Sequence, residues 1–128
     1  MPVGKPKIEV DVAHRYDRLM VLDHIQFDVY ENEFLCLLGP SGCGKTTMAN
    51  LIAGLLKPSA GSVKLDGEPV NPQKHNISYV FQARSCLPWR TVKDNVKIVL
   101  EIKGISGPVA EEKIANVASL FDASVTPK

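Results

Sequence analysis

The spacing of apolar positions changes several times along the chain. Ile8, Val10 and Val12 alternate with charged or polar neighbours, the period of a half-buried strand. His14 to Arg18 is polar and predicts a turn. From Val21 to Tyr30 the residues Leu22, Ile25, Phe27 and Val29 continue a strand-like pattern, so the two segments are expected to pair antiparallel. Glu31-Asn32-Glu33 makes the next turn, where Asn32 tolerates a left-handed backbone. Phe34 to Leu38 then breaks the alternation with an unbroken apolar run. That pattern predicts a strand buried on both faces, as in a parallel sheet.

Helical spacing takes over after residue 45. Within Thr46–Leu56, the residues Met48, Leu51, Ile52 and Leu55 fall at i, i+3, i+4 and i+7 and share one face. Pro58 forbids much continuation. Val63-Lys64-Leu65 and Glu68-Pro69-Val70 flank Asp66-Gly67, a tight hairpin turn, and Pro69 puts the returning strand at an edge. Pro72 to Asn76 reads as loop and Ile77 to Phe81 as a further strand, with Gln82 at its end. Thr91, with Asp94 three residues on, caps a helix whose stripe is Val92, Val96, Val99 and Leu100 and whose stop is Gly104. Pro108 opens a second helix with Ala110, Ile114, Val117, Ala118 and Phe121 on its buried face. Residues 1–7 read as a flexible tail.

Composition narrows the class. The 128 residues are 45% apolar and 23% charged, which suits one globular domain with a real core. A net charge of +1 gives no electrostatic case for a nucleic-acid partner. No run of apolar residues is long enough to span a bilayer, and the N-terminus lacks the apolar segment of a secretory signal. Cys36, Cys43 and Cys86 are odd in number and form no C-x-x-C pair, which argues against a disulfide framework or zinc site and fits a reducing cytosol. Cys36, inside the apolar run, is expected in the core. Cys43 is expected to be exposed, without a catalytic role. His14, His24 and His75 are scattered, and surface or turn positions are their default.

Between the apolar run and the first helix, Gly39-Pro40-Ser41-Gly42-Cys43-Gly44-Lys45-Thr46 matches the phosphate-binding pattern G-x-x-x-x-G-K-[ST]. Glycines let backbone N–H groups turn toward phosphate oxygens, and the following helix presents its free N–H groups and positive dipole end to the same anion. Lys45 can reach the β- and γ-phosphates, Thr46 can offer a hydroxyl to Mg²⁺, and Thr47 can contact the α-phosphate. The rival explanation is a chance match on a glycine-rich turn. An apolar strand before and an amphipathic helix after the pattern count against it.

With these motifs the sequence resembles the ATP-binding subunit of an ABC transporter over residues 8–128. Gly39 to Thr47 is the family's form of the loop, its Walker A motif. Ile52-Ala53-Gly54-Leu55 followed by Pro58-Ser59-Ala60-Gly61 is similar to its next segment, and Val80-Phe81-Gln82 to its Q-loop entry. Leu87-Pro88-Trp89-Arg90-Thr91-Val92 and Asp94-Asn95-Val96 are most similar to the nitrate, sulfonate and taurine import branch. The implied fold is the N-terminal portion of an α/β P-loop NTPase: an antiparallel β subdomain, a P-loop core strand and helix, and the start of a helical subdomain.

The resemblance also implies roles. Tyr16 falls where the family stacks an aromatic on adenine; the alternative is a turn tyrosine. Residues Gly39, Pro40, Ser41, Gly42, Cys43, Gly44, Lys45, Thr46 and Thr47 would hold ATP. Lys45 and Gln82 would serve catalysis, and Thr46 and Gln82 would hold Mg²⁺. The Gln82–Val96 region, with Trp89, would face a transmembrane permease subunit, unless Trp89 is a local packing aromatic. A second ATP-binding subunit would complete a dimer, peripheral on the cytoplasmic face of the plasma membrane. Asn32-Glu33 departs from the family's usual Gly-Glu.

No Leu-Ser-Gly-Gly-Gln-like signature, no apolar strand ending in Asp-Glu (Walker B) and no later switch histidine occur in these residues. Residues 8–128 are therefore expected to form a partial domain, a truncated product or fragment that is poorly soluble alone and binds ATP without turning it over. One alternative is a catalytically inactive nucleotide-binding or interaction module. Another, a kinase or GTPase on the same loop, is disfavoured by the Gln82–Val96 region.

Overall fold

The first alternating segment runs further than its polar end implies. The computed structural model describes residues 4–83 and 85–120, and in it β1 spans Ile8–Tyr16 and β2 spans Leu19–Val29. The turn expected over His14–Arg18 shrinks to Asp17-Arg18, because Tyr16 pairs directly with Leu19. Asp17 takes φ 50°, a conformation its short polar side chain tolerates. His14 is thereby a strand residue, and it is buried.

After the glycine-rich loop comes α1, Lys45–Ile52, then β3, Ala60–Leu65, and β4, Glu68–Pro69. All four strands form one antiparallel sheet in the order β2-β1-β3-β4. Asp66 and Gly67 both have positive φ, 53° and 80°, as the two-residue hairpin requires. Pro69 sits on the edge strand, where its missing N–H leaves no ladder bond unmade. The pairing of β1 with β3, Ile8 opposite Leu65, joins segments that no local pattern links.

The helix is shorter than its apolar spacing predicts. It ends at Ile52 in a Schellman motif: Gly54, at φ 74°, donates its N–H to the Leu51 carbonyl, and the Leu55 N–H donates to the Asn50 carbonyl. Leu55 therefore lies beyond the helix and is exposed. Met48 and Leu51 point inward and close a core with Val10, Val12, Leu22 and Val63, against which Ile8, Val21, Phe27, Ile52, Leu56 and Val70 pack. One face of the antiparallel sheet thus carries the helix that follows the loop.

Two expected strands do not form. Phe34–Leu38 and Ile77–Phe81 have no regular structure. Phe34 is 92% exposed, Leu38 89% and Val80 95%. A strand buried on both faces needs strands on either side and layers above and below, and no strand among the described residues pairs with Phe34–Leu38. Cys36 is accordingly exposed rather than in the core. The turn before the run is as expected: Asn32 adopts φ 60°, and the Glu33 carboxylate accepts the Tyr30 N–H at 2.7 Å.

The chain divides into two compact units between Val80 and Phe81. The second holds α2, Val92–Ile102, and α3, Gly107–Ala118. Thr91 caps α2, its hydroxyl accepting the Asp94 N–H at 3.1 Å. Gly104 ends it at φ 71°, with Gly104 N–H on the Glu101 carbonyl and Ile105 N–H on the Leu100 carbonyl. Its apolar stripe is not buried: no residue of α2 is. On α3, Ala110 and Ile114 are buried, whereas Val117 and Ala118 are exposed. Phe121 lies outside the described residues.

Candidate nucleotide-binding site

The loop at 39–46 is shaped by its glycines and closed by its lysine. Gly42 and Gly44 have φ of 81° and 104°, a region that side chains with Cβ rarely adopt. Gly44 has a second constraint. A Cβ there would lie 2.9 Å from Leu22 Cδ2 and 3.1 Å from Val21 Cγ1, so the loop can meet β2 only without one. The strand is itself irregular at this point. From Val12–Ile25 to His14–Leu22 two steps on β1 face three on β2, and from His14–Leu22 to Arg15–Met20 one faces two. Such bulges re-aim side chains.

Within the loop, the Cys43 N–H donates to the Pro40 carbonyl at 3.2 Å. The Lys45 ammonium folds back to donate to the carbonyls of Gly39 and, at 2.8 Å, Pro40, and stands 3.6 Å from Cys43 Sγ. Cys43 is exposed, as expected. Gly44 precedes α1 without a side-chain cap, and the first turn carries no acid. The amides at this end of α1 therefore take no side-chain acceptor, and the positive end of the helix dipole faces no fixed negative charge from its own turn. This is the environment an anion requires.

Thr46 is exposed and Thr47 is buried. Thr47 Oγ1 lies 3.4 Å from the Tyr16 hydroxyl, either of which can donate. The fold thus brings Tyr16, at the end of β1, onto the first turn of α1. Tyr16 remains 47% exposed. A chain reversal between Tyr16 and Leu19 and a sheet packed on α1 make this possible.

Gln82 belongs to the second compact unit, where it is exposed and outside any helix or strand. In the same unit, Asn95 organises the loop around Trp89. Its amide accepts the Leu87 N–H at 2.7 Å and donates to the carbonyls of Leu87, Arg90 and Thr91 at 3.1, 3.2 and 2.9 Å. Trp89 is 75% exposed, so it is not a local packing aromatic. The asparagine of Asp94-Asn95-Val96 thereby has a structural reason: four backbone contacts hold one turn of loop against the start of α2.

Two residues that motif reasoning missed join the site. His14 is 5% exposed, not on the surface or in a turn. Its ring packs edge-to-face on Tyr16, with centroids 4.7 Å apart and planes at 83°. Ser59 lies 3.4 Å from His14 Nδ1 and accepts the Arg15 N–H at 3.0 Å. The one available signal was that His14 stands two residues before Tyr16, on the same face of a strand. His24 is exposed, and His75 Nδ1 accepts the Asn71 N–H at 3.0 Å.

A protein-family model described as "ABC transporter" matches residues 22–127. An uncharacterized ABC transporter ATP-binding protein of Methanocaldococcus jannaschii is 52% identical over 89 residues, 70% of this chain and 33% of that protein. An uncharacterized ABC transporter ATP-binding protein of Bacillus subtilis is 40% identical over 95 residues, 71% of this chain and 36% of that protein. The chain spans about a third of the length of these relatives.

Proposed function

The chain belongs to the ABC transporter family, and from that premise we propose that residues 39–47 bind the phosphates of Mg-ATP, with adenine resting on Tyr16. The observation that carries this reading is the loop itself. It runs into a helix N-terminus free of acids and caps, with Lys45 Nζ held on the Gly39 and Pro40 carbonyls. Backbone amides and Lys45 would hold phosphate oxygens there, and the Thr46 hydroxyl would supply a Mg²⁺ ligand. Mg²⁺ neutralises charge on the phosphates when bound. By its resemblance to the family's Q-loop, Gln82 would be the residue for contact with the cation and the attacking water.

The reading extends to a transport complex. The ATP-binding subunit would power uptake of a small oxyanion such as nitrate, sulfonate or taurine, paired with a permease subunit and a second ATP-binding subunit. Support for the permease contact comes from the exposed Trp89 on a loop fixed by Asn95. No helix among the described residues is long and apolar enough to cross a membrane, so passage would belong to the permease. These residues contain no Asp-Glu pair, so the chain by itself is proposed to bind ATP without sustained hydrolysis.

Calorimetric titration with Mg-ATP and a steady-state phosphate-release assay test both statements. Mg-ATP should bind, and Lys45→Ala should weaken binding about 10- to 100-fold, the worth of a charged hydrogen bond. Phosphate should not accumulate. Binding unchanged in Lys45→Ala would remove the loop from the proposal. Turnover abolished by Lys45→Ala would show that the chain carries its own means of activating water.

A further inference from the structure

His14 is a buried polar residue, and among the described residues its Nε2 has no hydrogen-bond partner. One ring nitrogen is therefore unsatisfied in either neutral tautomer, a state that an apolar ring of the same size would avoid. Two contacts hold the ring. Its edge-to-face packing on Tyr16 has centroids 4.7 Å apart. Its Nδ1 lies 3.4 Å from Ser59 Oγ. Ser59 is itself fixed, because it accepts the N–H of Arg15, the residue between His14 and Tyr16, at 3.0 Å. The register shifts of the β1–β2 pair fall on both sides of His14, so the sheet is distorted at this residue and regular elsewhere along the pairing.

We infer that His14, oriented by Ser59, is the positioning residue for Tyr16, and that recognition of a purine base at this site depends on the imidazole. The inference rests on Tyr16 serving as the base platform proposed above. An exposed tyrosine ring gains little from stacking if it must first be immobilised, and a ring held in place beforehand keeps the full gain. Among the described residues the Tyr16 hydroxyl is held only by a 3.4 Å contact to Thr47, so ring orientation falls to His14. A phenyl ring at position 14 would fill the same space. It has no nitrogen for Ser59, so its own rotation would be unset and the edge-to-face contact with Tyr16 would loosen.

The test compares Mg-ATP with Mg-tripolyphosphate, which offers phosphates without a base, on the full 128-residue chain. Tyr16→Leu should lower Mg-ATP affinity about tenfold, as loss of base stacking does, and leave tripolyphosphate unchanged. His14→Phe should lower Mg-ATP affinity about threefold, leave tripolyphosphate unchanged, and have no further effect when combined with Tyr16→Leu. Ser59→Ala, at an exposed position, should act in the same direction and keeps the test decisive if His14→Phe does not fold. If Tyr16→Leu weakens Mg-ATP selectively but neither His14→Phe nor Ser59→Ala does, the positioning role is wrong and the platform stands. Equal loss for both ligands in His14→Phe and Ser59→Ala would reduce His14 to a structural residue. If Tyr16→Leu changes nothing, the platform reading falls and this inference with it.

Discussion

The four-stranded sheet with α1 and the apolar run at Phe34–Leu38 are built from the same kinds of residue and end in opposite states. In the sheet, Val10, Val12 and Val63 are buried and every strand has a partner. In the run, Phe34 and Leu38 are almost fully exposed. The difference lies in what each pattern requires. An alternating strand needs one neighbour and one covering layer, and two-residue turns at Asp17-Arg18 and Asp66-Gly67 deliver neighbours from nearby in sequence. An unbroken apolar strand needs neighbours on both sides and layers on both faces. The local chain provides neither. Hydrophobicity alone does not place a segment inside; the geometry of its partners does.

The largest expected effect tests this contrast with one chemistry at two sites. Leu51 is 0% exposed and Leu38 is 89% exposed. Leu51→Ala should cost about 2–5 kcal/mol, as buried leucine truncations do, and Leu38→Ala should change stability by less than about 0.5 kcal/mol. Urea denaturation followed by far-ultraviolet circular dichroism reads both. Equal losses would mean that the run is covered in solution and that the contrast does not hold.

A second test asks whether close sheet packing, rather than backbone conformation, fixes the first region. Gly61 and Gly67 share φ of 80°. A Cβ on Gly61 would lie 2.0 Å from the Asp11 carbonyl oxygen, in the β1–β3 ladder, whereas one on Gly67 would meet nothing within 4 Å. Gly67→Ala should therefore cost only the left-handed penalty, about 1–2 kcal/mol. Gly61→Ala should cost more than about 2 kcal/mol, since the strands must separate as well. Similar losses for the two alanines would place the constraint in φ alone.

The same contrast explains how much could be read from the sequence. The β1–β2 pairing, the Asp-Gly hairpin, the Thr91 cap and the glycine-rich loop depend on residues within a few positions of one another, and all were legible. The β1–β3 pairing was not, because Ile8 meets Leu65 across the loop and α1, and no local period encodes a partner that far away. The burial of His14 is hidden in the sequence for a related reason. Its polar neighbours resemble a turn, and only the fold shows that β1 continues to Tyr16. The helical spacing runs past the helix end at Ile52 because Leu55 fits it, while the stop lies in Gly54, whose positive φ no apolar period encodes. At the candidate site, the loop was legible from its pattern. The support beneath Tyr16 from His14 and Ser59 was not, since those side chains meet only after the sheet forms.

The smallest effect concerns the second compact unit, where an ionic contact links two helices that share few buried residues. Lys93 Nζ lies 2.8 Å from Glu111 Oε2, with both side chains about half exposed (42% and 52%). The hydrogen bond and charge of Lys93 lower the Glu111 carboxyl below its ordinary value of 4.5, with Lys97 adding to the effect. The same contact raises Lys93 above its ordinary 10.5. A carboxylate with a lowered value contributes stability above the unfolded value, and that contribution is lost as pH falls through the folded one. A lysine with a raised value contributes below its unfolded value and loses it as pH rises through the folded one. The contact therefore acts between about pH 4.5 and 10.5, weakly, because exposed pairs are screened. Glu111→Gln should lower the thermal midpoint slightly at pH 7 in low salt, with the difference shrinking in high salt and vanishing well below pH 4.5. A difference that persisted in acid would have to come from packing of the Glu111 side chain. The two units would then differ less than their buried residues indicate, since shape as well as charge would hold α2 to α3.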